Sequence, residues 1–426
     1  MQYKYTQATT IMKTTYNTLL FPFIYVSFLI YRHISMTSFV PLLCVWIVSI
    51  PALIEGINDA IKKKEKWKLF ISDVVFMSAV LLITYTSYEK IQKSNYGMVW
   101  FFYYLAPYAI FLDILILYSW HRKNLINGLK ILNALIFVSM IGGLIEHVVY
   151  KYVYGQTMWR IVSVYINTFM LSTVALFALF LPDFTKNKAM KCITKVLYLL
   201  CILFSYSRNI WVAATVILII HFINAYQKFR RNNVMLDFKT KRILLVSIVG
   251  GIVLLLCILV FTGTLSTIIE RLHVDKNGTS YQVRIGYLKY ALASWFPNFS
   301  KRDLFVGRGY RSSRVAIASS NIVIGNYEAF DNMYVTLLYE YGLCGVIALC
   351  ITLYRVFAVL RENWNKKDLD NESNVPYCAA MLCVAALIPS GFYEIVDWHS
   401  VYFLLLAAIG IVFVEYHRIK GAFCNE

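Results

Sequence analysis

The sequence predicts an all-α, polytopic integral membrane protein with about twelve transmembrane helices and one long external loop containing an interfacial helix. Three observations predict it. Of the 426 residues, 59% are hydrophobic and only 15% charged, with a mean hydropathy of +0.60, well to the apolar side of soluble domains. Apolar stretches long enough to cross a bilayer recur along the chain, separated by short charged connections. Aromatic residues make up 16% of the chain, as expected where many side chains lie at membrane–water interfaces.

The expected spans are 17–32, 36–57, 68–88, 97–120, 126–150, 161–183, 190–206, 209–227, 243–263, 331–360, 375–393 and 399–417. The first lacks a small-residue cleavage site and is followed by many more, so it reads as a retained helix and not a signal peptide. The seventh and eighth are joined by a tight hairpin at Ser207 to Asn209. The whole chain, 1–426, reads as a single membrane domain, with residues 264–330 forming the long loop between spans nine and ten.

Charge placement orients these spans. With a cytoplasmic N-terminus, the inner connections hold most of the 41 Lys and Arg residues, including Lys62, Lys63, Lys64, Lys66, Lys186, Lys188, Arg230 and Arg231. The short outer connections then hold only Arg32, Lys90, Lys93, Lys151, Arg160 and Arg208. Excess positive charge stays inside, so both termini are expected in the cytoplasm. The net charge of +18 thus reflects topology and anionic lipid, and no nucleic-acid partner is expected. Nine cysteines without a CxxC pair point to free, buried thiols and not to a disulfide framework or zinc site. No Walker loop, dinucleotide fingerprint or HExxH is present, so no cofactor or metal is expected.

The long loop is the informative segment. It has roughly 65 residues, whereas connections in compact proteins are usually about 4–6, and loops of such length are commonly functional. It carries Arg271, Lys276, Arg284, Lys289, Lys301, Arg302, Arg308, Arg311 and Arg314 against Glu270, Asp275, Asp303 and Glu328. Topology does not account for a basic surface outside the cell, so an anionic ligand is the natural reading. Ser280 to Phe296 reads as a helix with Tyr287, Tyr290, Ala291 and Trp295 at helical spacing, suited to the outer interface.

Several residues are candidates for chemistry, each with a structural alternative. Arg208, in SYSRNIW at the hairpin, either snorkels to the interface or faces a wet cavity. Arg284 either lies on a solvated helix face or meets an anion. The run GRGYRSSR holds Arg308, Arg311 and Arg314, with Gly307 and Gly309 flexible enough to expose N–H groups that cradle phosphate. Asp331, opening the tenth span, is either a helix N-cap or an acid–base group. Asn332 follows it, and Glu340 lies about 13 Å deeper at 1.5 Å per residue. Gly342 and Gly345 read as close-packing positions. Asp73, Asp113, Glu146 and His147 could form a proton relay, but they are scattered and read better as structural polar contacts.

The order of these pieces resembles the O-antigen ligase and O-antigen or capsule polymerase superfamily of bacterial membrane glycosyltransferases. SYSRNIW closes one span and opens the next; VRIGYLKYALASWF and GRGY follow; FDNMYVTLLYEYGLCGV then enters a helix. The matching pieces run from Ser205 to Val346. The resemblance implies transfer of glycan from an undecaprenyl-pyrophosphate-linked oligosaccharide on the outer face of the bacterial inner membrane. It implies that Arg208 and Arg284 hold the donor pyrophosphate, which guanidinium suits because it pairs bidentately and stays charged. Asp331 would be the catalytic base, with Arg308, Arg311, Arg314, Gly307, Gly309, Asn332 and Glu340 lining the substrate.

Ligases of this superfamily usually carry histidine before the asparagine that opens the last motif; here Asp331 precedes Asn332. The difference favours a metal-independent, inverting polymerase of repeat units over a ligase acting on lipid A-core. Membrane lipids and a chain-length regulator are the further partners to expect. A transporter or flippase of lipid-linked sugars is the rival of another class; it calls for related halves, and no convincing internal repeat is found.

Overall fold

The structure, a computed structural model, describes residues 13–27, 110–119, 121–155, 160–165, 167–231, 279–309, 312–318, 330–365, 374–391 and 399–420, with isolated positions between 29 and 82. The expected spans 36–57, 68–88 and 243–263 lie largely outside the described residues, as do Asp73, Arg271, Lys276 and Arg311. Every described element is helical, with no strand among the described residues. In chain order they are α1 (13–27), α2 (Ile110–Ser119), α3 (Arg122–Tyr152), α4 (Thr168–Ala178), α5 (Lys188–Phe204) and α6 (Arg208–Arg231). After the masked stretch come α7 (Thr279–Tyr290), α8 (Lys301–Val306), α9 (Ser312–Ala318), α10 (Met333–Asn365), α11 (Val375–Ser390) and α12 (His399–Ile419).

Among the described residues, three helices are long and apolar enough to cross a membrane: Arg122–Tyr152, Met333–Trp364 and Val401–Ile419. Ile110–Ser119, Thr168–Ala178, Arg208–Asn224 and Val375–Ser390 are apolar but shorter. Twelve complete crossings are therefore not established, although an all-helical, apolar architecture is. Exposed Val138, Ile145, Val148, Val212, Ile219, Phe222, Ile347 and Phe357 form the outward apolar belts that a bilayer would cover.

The segment expected to cross as one helix over 161–183 behaves differently. Only Thr168–Ala178 is α-helical, about 16 Å at 1.5 Å per residue, well short of a bilayer. It sits at the centre, touched by α3, α5, α6, α11 and α12, and ten of its residues are buried. A short helix inside an apolar core must satisfy both of its ends. Asn167 Oδ1 accepts from the N–H of Met170 at 2.7 Å. At the other end Lys195 Nζ donates to the carbonyl of Leu179 at 2.6 Å and pairs with Asp183.

The irregular stretch before α4 is held by side chains of α3. Glu146 accepts from the N–H groups of Val162 and Ser163 at 3.3 and 2.6 Å, and Ser163, at φ +50°, donates its hydroxyl to the carbonyl of Ser139. Tyr165 joins Tyr25 and Ser139 through hydroxyl contacts. His147 is buried and stacked on Phe204. Glu146 and His147 thus serve local packing, the reading that the scattered acids favoured, while Asp113 is buried on α2. Replacing Glu146 by Ala should destabilise the detergent-solubilised protein by about 1 kcal/mol or more, the cost of orphaning partly buried N–H groups. Glu146→Gln, which keeps an accepting oxygen, should lose much less in the same thermal unfolding assay.

Candidate functional site

The site is built where the loop helices meet the start of α10. Helix α7 continues through a π turn (Ala291–Trp295) and a 3-10 turn (Phe296–Asn298), so one helical segment covers most of the predicted Ser280 to Phe296. Its Tyr287 and Ala291 are buried with Ile317 of α9 and with Phe330 and Tyr339 beside and within α10. Arg284 lies one turn before Tyr287, which brings its guanidinium to Asp331: Nη2 donates to Oδ2 at 3.2 Å, both side chains about a quarter exposed. The two residues are separated by 47 positions, so only packing of α7 on α10 unites them.

Asp331 could have been no more than a helix cap. It is not the cap: Asn332 Oδ1 accepts from the N–H groups of Tyr334 and Val335 at 3.0 and 3.2 Å. Asp331 stands just outside the helix at φ +53°, a left-handed conformation that Asp tolerates better than most residues. Burial raises its carboxyl above the usual aspartate range, and the Arg284 charge and hydrogen bond partly offset this. The phenol of Tyr287 is raised as well, by burial and then by the Asp331 charge.

The Gly-Arg-Gly run takes a different form from an anion cradle. Gly342 interrupts α10 at φ +58°, ψ −154°, a backbone region that only glycine occupies readily. The break frees carbonyls of the preceding turn. Arg308 N–H donates to Tyr339 O at 3.0 Å, Gly309 N–H to Glu340 O at 2.9 Å, and Gly307 N–H to Asp303 O at 2.8 Å. All three amides are therefore bonded within the protein. A Cβ on Gly307 would stand 2.2 Å from Glu340 O, and one on Gly342 would stand 2.6 Å from Gly307 N and from Leu304 O. Backbone lies directly on backbone, and the run acts as a clasp on the broken helix.

Side chains reinforce the clasp. The Arg308 guanidinium donates through Nε to Asp303, through Nη1 to Tyr339 Oη and through Nη2 to Asn298 O, at 3.2–3.3 Å. It also stacks over Phe299 at 4.5 Å. Glu340 is buried and accepts from both the hydroxyl and the N–H of Ser313, which fastens α9 to α10. Arg314 is half-buried on α9 between Ser313 and Ile317.

Arg208 opens α6 on the exposed surface. Its hairpin is set by local bonds: Ser205 Oγ accepts from Ser207 N–H, Tyr206 takes φ +51°, and Trp211 Nε1 donates to Ile202 O at 2.9 Å. Helix α6 packs chiefly on α11 and also touches α10. The hydrogen bonds and ion pairs thus join Arg284 to Asp331, and Arg308 and Glu340 to the clasp. Among the described residues no group of three His, Cys, Asp or Glu side chains could hold a metal ion. Phe299, Tyr339 and Ser313 were not singled out from sequence, and Tyr287 only for its helical spacing. The aromatic residues gave only their spacing, which does not say what the rings touch, and Ser313 gave no signal.

Two substitutions separate these roles. Asn332→Ala should cost about 1 kcal/mol through loss of the cap, whereas Asp331→Asn should leave thermal stability nearly unchanged. Gly342→Ala should cost about 2–5 kcal/mol, because backbone strain and overlap add, and should lower the melting temperature of the solubilised protein accordingly.

A search of curated proteins gives no match to the chain. Residues 193–350 match the sequence model of the O-antigen ligase family. The match begins within α5 and ends within α10, so it takes in the Arg208 hairpin, Arg284, the glycine clasp and Asp331 together. The segment that holds the candidate site is therefore similar to the O-antigen ligase family, and it lies on an all-helical scaffold with helices long and apolar enough to cross a membrane.

Proposed function

We propose that the protein is a membrane glycosyltransferase that joins undecaprenyl-pyrophosphate-linked repeat units into O-antigen or capsular polysaccharide on the outer face of the bacterial inner membrane. The observation that carries this reading is the Arg284–Asp331 pair at the mouth of α10, a cation and a candidate base in contact, with the capping duty taken by Asn332.

The chemistry follows from that contact. Donor pyrophosphate competes with Asp331 for Arg284, since guanidinium binds phosphate bidentately. Asp331 then loses the cation that stabilises its charge, so its affinity for a proton rises. It takes the proton of the acceptor hydroxyl as that oxygen attacks the anomeric carbon. The bond from that carbon to the pyrophosphate breaks, and the lipid pyrophosphate leaves with both electrons, its charge held by Arg284 and Arg208. Attack opposite the leaving group inverts the anomeric centre. No metal is required where fixed cations meet the leaving group. Arg308 supports the site through the clasp, and Arg314 on α9 adds positive charge beside it.

A ligase transferring finished glycan to a lipid A-core acceptor is the second reading, favoured by the description of the matching family. A deletion strain distinguishes the two: loss of a polymerase leaves single repeat units attached, and loss of a ligase leaves polymer on the lipid carrier.

With purified protein and a synthetic lipid-linked repeat, Asp331→Asn should lower the rate by about 10²–10⁴-fold, the usual contribution of a general base. Arg284→Ala should lower it by about 10²–10³-fold, as loss of one charge-stabilising donor does; polymer of unchanged length and yield would refute the assignment. Because Asp331 must be ionised, activity should fall as pH drops through its raised pKa. The acid limb should then lie above the ordinary aspartate value of about 3.9. A midpoint at or below that value would remove Asp331 as the base.

A further inference from the structure

Helix α8 is built inside out for a helix in water. Its Asp303 faces inward and accepts from Arg308, while Leu304 and Phe305 on its other side are 44% and 59% exposed. Lys301 and Arg302 are exposed one turn earlier, and Lys301 shares a face with Leu304 and Phe305 by its i, i+3 and i+4 spacing. A six-residue helix in solvent would do the opposite and turn its apolar pair onto α10.

The height of α8 along α10 explains the reversal. From Gly342 to Leu360 the only charged residue is Arg355, which is buried and stacked on Phe413 of α12. That stretch is about 28 Å long at 1.5 Å per residue, close to the roughly 30 Å of a bilayer's hydrocarbon core. Arg361 and Glu362 are exposed immediately beyond it, and Glu340 and the clasp stand immediately before it. The break at Gly342 therefore marks the hydrocarbon boundary. Helix α8 lies against that position: a Cβ on Gly342 would meet the carbonyl oxygens of Leu304 and Phe305 at 2.6 and 2.7 Å.

We propose that α8 is a membrane-interface anchor. Leu304 and Phe305 insert among the acyl chains of the leaflet on the side of the Arg284–Asp331 site, and Lys301 reaches the lipid phosphates. An apolar pair at the hydrocarbon edge with cations one turn away is the pattern of interfacial helices, and a lysine stem extends readily from acyl chains to phosphate. The clasp joins α8 to the turn of α10 that leads up to Asp331. Anchoring α8 thus holds the clasp, and with it the turn of α10 that leads up to Asp331, at a fixed depth in the leaflet. The inference rests on α10 crossing the membrane and on the O-antigen ligase-type site lying at its mouth, but its test does not depend on activity.

The test uses the full chain in nanodiscs of phosphatidylethanolamine and phosphatidylglycerol, with trifluoromethyl-phenylalanine in place of Phe305 and fluorine NMR as the readout. Dissolved dioxygen, which concentrates in acyl chains, should relax the label several-fold more than a water-soluble nickel chelate does. Equal or greater relaxation by nickel would place Phe305 in water and overturn the proposal. Protection from both probes would place it under protein and overturn it equally. Neither result would alter the effect of Asp331→Asn on polymer formation, so failure of the anchor and failure of the catalytic reading are distinguishable.

Discussion

The break of α10 at Gly342 is the constraint on which the rest of the site depends. A helix interrupted at the edge of an apolar environment leaves carbonyls that must find donors. Here the donors are the amides of Arg308 and Gly309, which come from a loop that could otherwise have lain anywhere. Glycine is required on both sides of the contact, because a Cβ at Gly307 or Gly342 would overlap backbone. From that contact α8 and α9 take their places. Arg308 then completes the fastening through Asp303, Tyr339 and the face of Phe299.

The same rule of satisfied backbone governs the interior. Helix α4 is too short to cross a bilayer, yet it is the element most surrounded by others, capped by Asn167 and closed by Lys195. The bent stretch before it leans on Glu146. Polar side chains within the apolar region therefore serve broken backbone, which is where such groups are tolerated at membrane depth. The Arg284–Asp331 pair differs. Each partner is partly exposed, and neither serves as a cap for the helix it adjoins. An ion pair whose members can be drawn to other partners suits exchange with a charged substrate better than it suits stability, since partly exposed pairs contribute little to folding.

Much of this architecture was legible in the chain. The helical class, a hairpin read at Ser207 to Asn209 (the structure turns at 205–207) and the helix around Arg284 follow from apolar length, turn residues and periodicity, all of which are local. The resemblance carried by SYSRNIW, GRGY and FDNMYV agrees with the segment matched to the O-antigen ligase family. What could not be read locally was division of labour between neighbours. Asp331 and Asn332 are both good caps by residue type, and the structure gives that role to Asn332. Gly307 to Gly309 has the composition of a phosphate loop, and instead the amides of Arg308 and Gly309 bind carbonyls of α10 while that of Gly307 binds Asp303 of α8.

By itself, then, the sequence determined the medium and the inventory: apolar segments that seek a bilayer, cations gathered in one long loop, and an acid at its exit. These are properties of composition and period, and each residue carries them wherever the chain goes. Only the tertiary structure decided which residues meet. Arg284 reaches Asp331 across 47 positions and Ser313 reaches Glu340 across 27, and both contacts arise because loop helices pack on a helix broken at one glycine. Such pairings depend on packing and on which polar groups remain to be satisfied, and neither leaves a periodic trace in the chain.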